Sequence, residues 1–280
     1  MIPALDPSVD ALAARLPDGA SLSLHKGDEA DAPMALALAL IRRRVRGLHL
    51  VTLPTCAYPA SGMMIDLLIG AGCVASVETS GISLHELGPA PRFTQAVRDG
   101  RLRVRDSTCP AVYAALQAGA KGQPFAPLRG LIGSDLLRHR DDWRVIDNPF
   151  AADADPIVLV PALNVDAAVF HAPKADAEGN VWVGRDRDRV LAAHAAARTL
   201  VTVEAIVPGC FFDDEAVAAG VIPAALIEAI AVAPQGCWPM TIGGGIDLDA
   251  VRDYQRAARS DEGFETWLAE HLQLDAAAVA

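Results

Sequence analysis

Apolar and polar positions alternate along this chain with two periods, one near 3.6 residues and one of two, and the two take turns. Asp6-Pro7 precede Val9, Leu12, Ala13 and Leu16, apolar positions at helical spacing behind an acceptor side chain and a proline, so a capped helix is predicted there, ended by Gly19. Ser21 to Leu24 alternate like a strand, the polar loop 25–33 follows, and 34–45 suits a second helix. Residues 48–54 predict a strand, 64–72 a short helix stopped by Gly70 and Gly72, and 73–81 extended structure again. Further on, 156–163 and 166–172 read as buried strands, 188–197 as a helix and 199–207 as a strand in which Val201, Val203 and Ala205 alternate with polar positions. Residues 248–258 and 264–272 read as helices.

Strands alternating with helices predict an α/β fold, an open, mainly parallel sheet with helices on both faces. No repeat and no low-complexity linker divides the chain. The best seam is 149–156, but the same alternation runs on both sides of it, so it reads as an internal junction and residues 1–280 as a single domain. Ligands of such sheets gather beyond the carboxyl ends of the strands. That singles out three polar loops: 25–33, 78–89 and 171–184.

Composition narrows the function classes. With 52% hydrophobic and 21% charged residues the chain is expected to fold, and with only 5% aromatics its interior must be built from alanine, valine and leucine. The net charge is −11 and the longest basic run is Arg42-Arg43-Arg44, which argues against nucleic acid as a partner. The five cysteines are odd in number and form no CxxC pair, so neither a zinc site nor a disulfide framework is signalled, and a reducing cytoplasm is expected. The start of the chain lacks a basic segment followed by an apolar one, so no secretory signal is expected. The apolar run Met34 to Ile41 is far shorter than the roughly 20 residues of a membrane span. No membrane partner is expected.

Familiar catalytic signatures are missing. There is no GxGxxG after a strand, and the glycines of 242–247 lack the lysine of a phosphate cradle and read as a turn before a helix near Leu248. The surroundings of Ser61 do not match the GxSxG elbow, Gly133-Ser134-Asp135 offers only a possible helix cap, and His85-Glu86 lacks the second histidine of HExxH. No metal site is expected. Glu78 stands at the end of an apolar strand, ahead of Ser80 and Gly81. Two readings are open for it: a nucleophile beside an oxyanion-stabilising glycine turn, or a carboxylate that caps that turn or pairs with an arginine. His171 is either a residue facing substrate or one bonded to neighbouring backbone. Lys26, Asp28, Glu29 and Asp31 read by default as a solvated loop, and Lys174 as a lone loop lysine.

The stretch "HAPKADAEGNVWVG" at 171–184 packs a histidine, a lysine, two acids and an asparagine around Gly179-Asn180. Together with 80–102, 116–136, 200–207 and 227–240, in that order, it resembles the family I coenzyme A transferases, specifically the A (alpha) subunit of the glutaconate type. The resemblance spans about residues 20 to 260. It implies the CoA-transferase and sugar-isomerase-like fold, and coenzyme A as a substrate with no permanently bound cofactor. It also implies a partner B-type subunit of similar size, in an A2B2 or larger assembly, acting on an acyl-CoA and a carboxylic acid. In that family a glutamate of the B subunit carries the acyl group and then CoA, so no catalytic residue is expected in this chain. Glu78 remains a weak candidate at the site rim. His25, Lys26, Glu78, Ser80 and Gly81 are the substrate-binding candidates. Asp176 and Asn180 would order the 171–184 turn, with Gly179 supplying a permissive backbone. One departure stands out: the loop after the first predicted strand has only Gly27 where A-type chains usually carry a glycine pair. Two rivals accompany the transferase reading, a CoA-ester or ring-opening hydrolase subunit of the same fold and a non-catalytic ligand-sensing domain.

Overall fold

The computed structural model describes residues 3–26, 30–53 and 55–277. A short strand β1 (Ala4–Asp6) and helix α1 (Val9–Ala13) precede β2 (Ser21–His25), α2 (Met34–Arg42), β3 (Leu48–Leu53), α3 (Pro59–Gly70) and β4 (Val74–Thr79). Then come α4 (Pro91–Arg98), β5 (Arg103–Asp106) and α5 (Cys109–Ala120). β6 (Phe125–Leu128), α6 (Leu136–His139), β7 (Arg144–Asp147) and β8 (Pro156–Pro161) follow, and lead to β9 (Val165–Asp176), β10 (Val181–Trp182), α7 (Arg187–Ala195) and β11 (Ala196–Val207). The chain goes on through α8 (Glu215–Ala218), β12 (Val221–Ile222), β13 (Ala229–Val232), β14 (Met240–Thr241), β15 (Gly245–Ile246), α9 (Leu248–Ala257) and α10 (Asp261–Ala277).

The main sheet runs in the order β1-β13-β11-β9-β2-β3-β4-β5, and every neighbouring pair along this path is parallel. Alternate residues feed two cores. Leu22, Leu24 and Leu50 pack with α1, α2 and α3 on one face, while Val51 and Leu53 pack with α5 and α7 on the other. Helices therefore cover both faces. From β2 the chain builds outward through β3, β4 and β5, and from β9 it builds the other way through β11 and β13. The order reverses between β2 and β9, the position where open parallel sheets bind ligands at their carboxyl ends.

A second sheet, β6-β8-β7, is antiparallel and has three strands. One face of it packs on α5, through Ala111, Ala115 and Ala118 against Ala126, Val158 and Val160. In the larger core, Asp66 of α3 ties three helices together: its carboxylate accepts from the backbone of Arg92 (3.2 Å) and Phe93 (2.6 Å) at the start of α4, and from the Tyr254 hydroxyl of α9 (2.6 Å). Burial pushes the Asp66 carboxyl up to about 6.

Several local expectations change. The first helix is capped by Ser8, whose hydroxyl accepts from Ala11 NH, and not by Asp6, which lies in β1 and binds Arg15 (2.8 Å). The second helix ends at Arg42, with Arg43 as its C-cap. The third begins five residues early because Pro59 sits in its first turn, and so takes in Ser61 and Gly62. Gly62 is required there: a Cβ would lie 1.9 Å from the Ser83 carbonyl oxygen, so α3 crosses the 81–83 turn in backbone contact. The proposed seam at 149–156 is the connection between β7 and β8, closed by Asn148 Nδ2 donating to Asp155 (2.7 Å). Residues 156–161 belong to the antiparallel sheet, not to the parallel one.

The 171–184 stretch is no open loop. β9 runs on to Asp176 and turns back as β10, an antiparallel hairpin paired Ala175 to Val181. Asp176 orders the turn by accepting from the backbone NH of Glu178 (3.0 Å), Asn180 (2.9 Å) and Phe211 (2.8 Å). Gly179 sits at φ +87°, and a Cβ on it would lie 2.5 Å from Pro3. The 242–247 glycines form the β14–β15 turn that leads to Asp247, the N-cap of α9.

Candidate active site

The carboxyl ends of β2, β3 and β4 lie side by side and are stitched together by short polar contacts. Thr52 donates to Thr79 (2.8 Å), Cys56 NH donates to the Gly81 carbonyl (3.1 Å), and Cys56 Sγ contacts the His25 carbonyl (3.2 Å). Ser61 Oγ of α3 donates to the Lys26 carbonyl. Lys26, Thr55, Ser80 and Gly81 thus share one rim.

Helix α5 walls this rim. Thr108 caps it by accepting from Ala111 NH (3.3 Å), which places Cys109 in its first turn, 3.3 Å from Ser80 Oγ. Tyr113 lies four residues on and so on the same face of the helix. Its hydroxyl donates to Asp188 of α7 (2.6 Å), and Lys26 Nζ lies 3.5 Å from the same carboxylate oxygen. Burial and the Asp188 carboxylate push the Tyr113 phenol well above its ordinary value, so it stays a neutral donor. Ser80, Cys109, Tyr113, Asp188 and Lys26 form a polar arc around the strand ends, rich in donors suited to an oxyanion or a carboxylate.

The five substrate-binding candidates separate into two levels. Lys26, Ser80 and Gly81 are on the rim. His25 is fully buried beneath it, its ring edge-on to Phe170 at 5.7 Å between centroids, and burial pushes its pKa down to about 4. Glu78 also lies beneath: its carboxylate accepts from Arg140 (3.0 Å) and lies 3.4 Å from Arg105 Nε. Asp142 completes the cluster, contacting Arg140 at 2.8 Å and Arg105 at 2.5 Å, and its hydrogen bond from Arg140 holds its carboxyl below the usual range. Arg140 stacks on Trp143 at 4.3 Å. Gly27, the departure from the glycine pair, lies outside the described residues, as do Asp28 and Glu29. Asp31 is buried, not solvated, and its carbonyl accepts from His171 NH (2.8 Å).

His171 bonds side chains, not the neighbouring backbone. Its Nδ1 lies 2.9 Å from Thr202 Oγ1 and its Nε2 3.0 Å from Glu204, whose other oxygen accepts from Gln235 NH (2.7 Å). The His171 hydrogen bond lowers the Glu204 carboxyl. Together with Cys237 these two make a cluster of possible metal ligands within 4.8 Å of one another. His171 takes the same face of β9 as Val169, which packs in the core of α1, α2 and α3, so this cluster lies across the sheet from the rim arc. Lys174 sits over the rings of Trp182 (5.2 Å) and Phe211 (5.4 Å).

Sequence reasoning missed Cys109, Tyr113, Asp188, Arg105 and Arg140. A signal existed for the first two: Thr108-Cys109-Pro110 followed by apolar residues at helical spacing is a helix start. Arg105 meets Glu78 across 27 positions of the sequence, Arg140 meets Glu78 across 62, and Asp188 meets Tyr113 across 75, so these roles arise only from tertiary contacts.

Residues 7–233 match the model of the coenzyme A transferase family. The chain belongs to that family. It is 32% identical over 251 residues to the A chain of a 3-oxoadipate CoA-transferase from Pseudomonas knackmussii, covering 86% of this chain and 84% of that one. The solved glutaconate CoA-transferase from Acidaminococcus fermentans superposes with a TM-score of 0.83 at 26% identity, over 94% of this chain and 87% of that one. A cholesterol ring-cleaving hydrolase subunit from Rhodococcus jostii is 28% identical over 95% of this chain and 90% of its own length. Within the family this chain is an A-type subunit of a CoA-transferase. Coenzyme A is the substrate of such enzymes. Among the described residues no helix is long and apolar enough to cross a membrane.

Proposed function

We propose that this chain is the A half of a heteromeric acid:CoA transferase whose acylated glutamate belongs to a B-type partner. The observation that carries this reading is the state of Glu78. Among the described residues of β2, β3 and β4 it is the carboxylate nearest their carboxyl ends, and both of its oxygens face arginines. A carboxylate so committed is a poor nucleophile, because attack would break a buried ion pair in the ground state.

On this reading the partner's glutamate attacks the acyl-CoA thioester, releasing CoA thiolate and leaving an acyl-glutamyl anhydride. The thiolate then attacks the glutamyl carbonyl, giving a glutamyl-CoA thioester and the free acid. The acceptor acid reverses both steps. The rim of this chain supplies donors, with Lys26, Ser80 and the Gly81 turn bordering the reacting groups and Tyr113 holding Asp188 beside Lys26. Excluding water protects the anhydride from hydrolysis. We place the enzyme in a reducing cytoplasm on the strength of its free cysteines, as an A2B2 or larger assembly. The chain acts as one domain, since α5 packs against both sheets.

Co-expression with a B-type chain tests this. The complex is expected to convert an acyl-CoA to a new acyl-CoA only when an acceptor acid is supplied, and to accumulate a hydroxylamine-sensitive thioester on a partner glutamate. Release of free CoA without any acceptor requirement would overturn it.

A further inference from the structure

Across the sheet from the rim arc, His171, Glu204 and Cys237 converge from three segments that the sequence keeps far apart. The parallel pairing of β9 with β11 sets His171 opposite Thr202, and Glu204, two residues on, shares that face. Cys237 comes in from the loop after β13, which lies so close to the imidazole that a Cβ on Gly236 would stand 2.9 Å from His171 Cε1. None of the transfer steps uses these three side chains.

Three features fit the set to a divalent metal ion. The first is spacing. A ring nitrogen of His171, a carboxylate oxygen of Glu204 and the buried Cys237 Sγ all lie within 4.8 Å of one another, and His171 Nε2 is 3.0 Å from Glu204 Oε1. Around a tetrahedral zinc ion, with bonds of about 2.0–2.1 Å to nitrogen or oxygen and about 2.3 Å to sulfur, such donors stand roughly 3.3–3.6 Å apart. The set therefore closes with movements of at most about 1.5 Å.

The second feature is the outer support of the ligands. Thr202 Oγ1 lies 2.9 Å from His171 Nδ1, and Gln235 NH donates to the second Glu204 oxygen (2.7 Å), which turns Nε2 and Oε1 toward each other. In the tautomer whose Nδ1–H donates to Thr202, a nitrogen lone pair and a carboxylate converge, and a cation satisfies both. The third feature is charge. The Glu204 and Asp31 carboxylates both act on Cys237, and among the described residues His171 is the ion-pair partner of Glu204. That negative field favours a cation. The Glu204 side chain is 25% exposed, which gives an ion a way in.

We propose that His171, Glu204 and Cys237 bind one zinc ion, which clamps the segment 233–240 onto β9 and β11. A thiolate, an imidazole and a carboxylate together are donors that suit zinc. Binding replaces the S–H bond of Cys237, which donates to the Met240 carbonyl (3.3 Å), by a sulfur–zinc bond and releases that proton to solvent. The site stands independently of the transferase reading. No CxxC pair announces it, because each ligand comes from a different segment.

The test uses the complex of the full chain with its B-type partner, stripped with a chelator and reloaded with Zn²⁺ or Co²⁺. After desalting, elemental analysis is expected to find one zinc more per A chain in the wild type than in Cys237→Ala, a difference that cancels any metal held by the partner. Co²⁺ is expected to give a near-ultraviolet thiolate-to-cobalt band that Cys237→Ala lacks. Thr202→Val removes only the support of the imidazole. It is expected to weaken zinc binding roughly tenfold to a hundredfold while the cobalt band persists. Zinc is also expected to raise the melting temperature of the wild type and not of Cys237→Ala. Should Cys237→Ala fail to assemble, His171→Gln carries the same comparisons. Equal zinc in wild type and variant, or a cobalt-loaded wild type without the thiolate band, overturns the site.

Discussion

Glu78 of β4 and Arg140, 62 residues later, meet at 3.0 Å as a buried ion pair that joins the parallel sheet to the segment carrying the antiparallel one. Asp142 and Arg105 close the cluster on its more exposed side. Removing one member of a buried pair leaves the other charge uncompensated, a loss of about 3–5 kcal/mol. Glu78→Ala is therefore expected to lower the unfolding free energy by about that much in urea denaturation. A variant that loses activity at undiminished stability would mean that Glu78 does chemistry instead.

The hairpin of β9 and β10 depends on one acid and one glycine. Asp176→Ala strands the NH groups of Glu178, Asn180 and Phe211 in a buried turn, and hydrogen bonds to a charged acceptor contribute about 1.5–3 kcal/mol each. The variant is expected to lose at least about 3 kcal/mol, and hydrogen exchange is expected to rise in 171–184 and 211–224 ahead of β2 to β5. Uniform acceleration across the chain would show that the hairpin is not a local unit.

Two buried groups give the fold opposing pH responses. His25 is pushed from 6.5 down to about 4, so the unfolded chain binds its proton more readily; this contribution is full above pH 6.5 and lost as the pH falls toward 4. Asp66 is pushed from 3.8 up to about 6, so the folded chain binds its proton more readily; this contribution is full below about pH 3.8 and lost as the pH rises through 6. Each window of a little over two pH units is worth about 3 kcal/mol, and in the wild type the two nearly cancel. Measured against wild type from pH 6.5 to 4, His25→Gln is expected to gain stability and Asp66→Asn to lose it. Parallel profiles for the three proteins would contradict this.

Tyr113 holds Asp188 beside Lys26. Tyr113→Phe removes that donor and lets the carboxylate pair more closely with the lysine, withdrawing it from the substrate. KM for acyl-CoA is expected to rise about fivefold with kcat little changed, the pattern of lost ground-state binding. An equal fall in kcat and kcat/KM would instead place Tyr113 in the transition state.

Much of the parallel sheet is legible in the sequence because its inner strands are short apolar runs between glycines and helical spacings, as at 48–53 and 199–207. The antiparallel sheet is not. Val145 and Ile146 of β7 are both exposed, so no alternation marks that strand, and Pro156 to Pro161 reads like any buried strand until its partners are known. The rim divides the same way. Ser80 and Lys26 follow strands and can be picked out; Cys109 and Tyr113 sit on a helix, and Arg140 and Asp188 acquire their roles only through partners distant in sequence. The depth of His25 is hidden too, because the period of a strand tells which face a side chain takes but not how far the loops close over it.

The most direct test of the central claim compares the purified chain alone with the same chain bound to a B-type partner, in one CoA-transfer assay with intact-mass detection of a CoA adduct. The account predicts turnover only for the complex, and an acyl-CoA-dependent mass increase on the partner. Turnover by the isolated chain, with the adduct on a glutamate of its own, would contradict it.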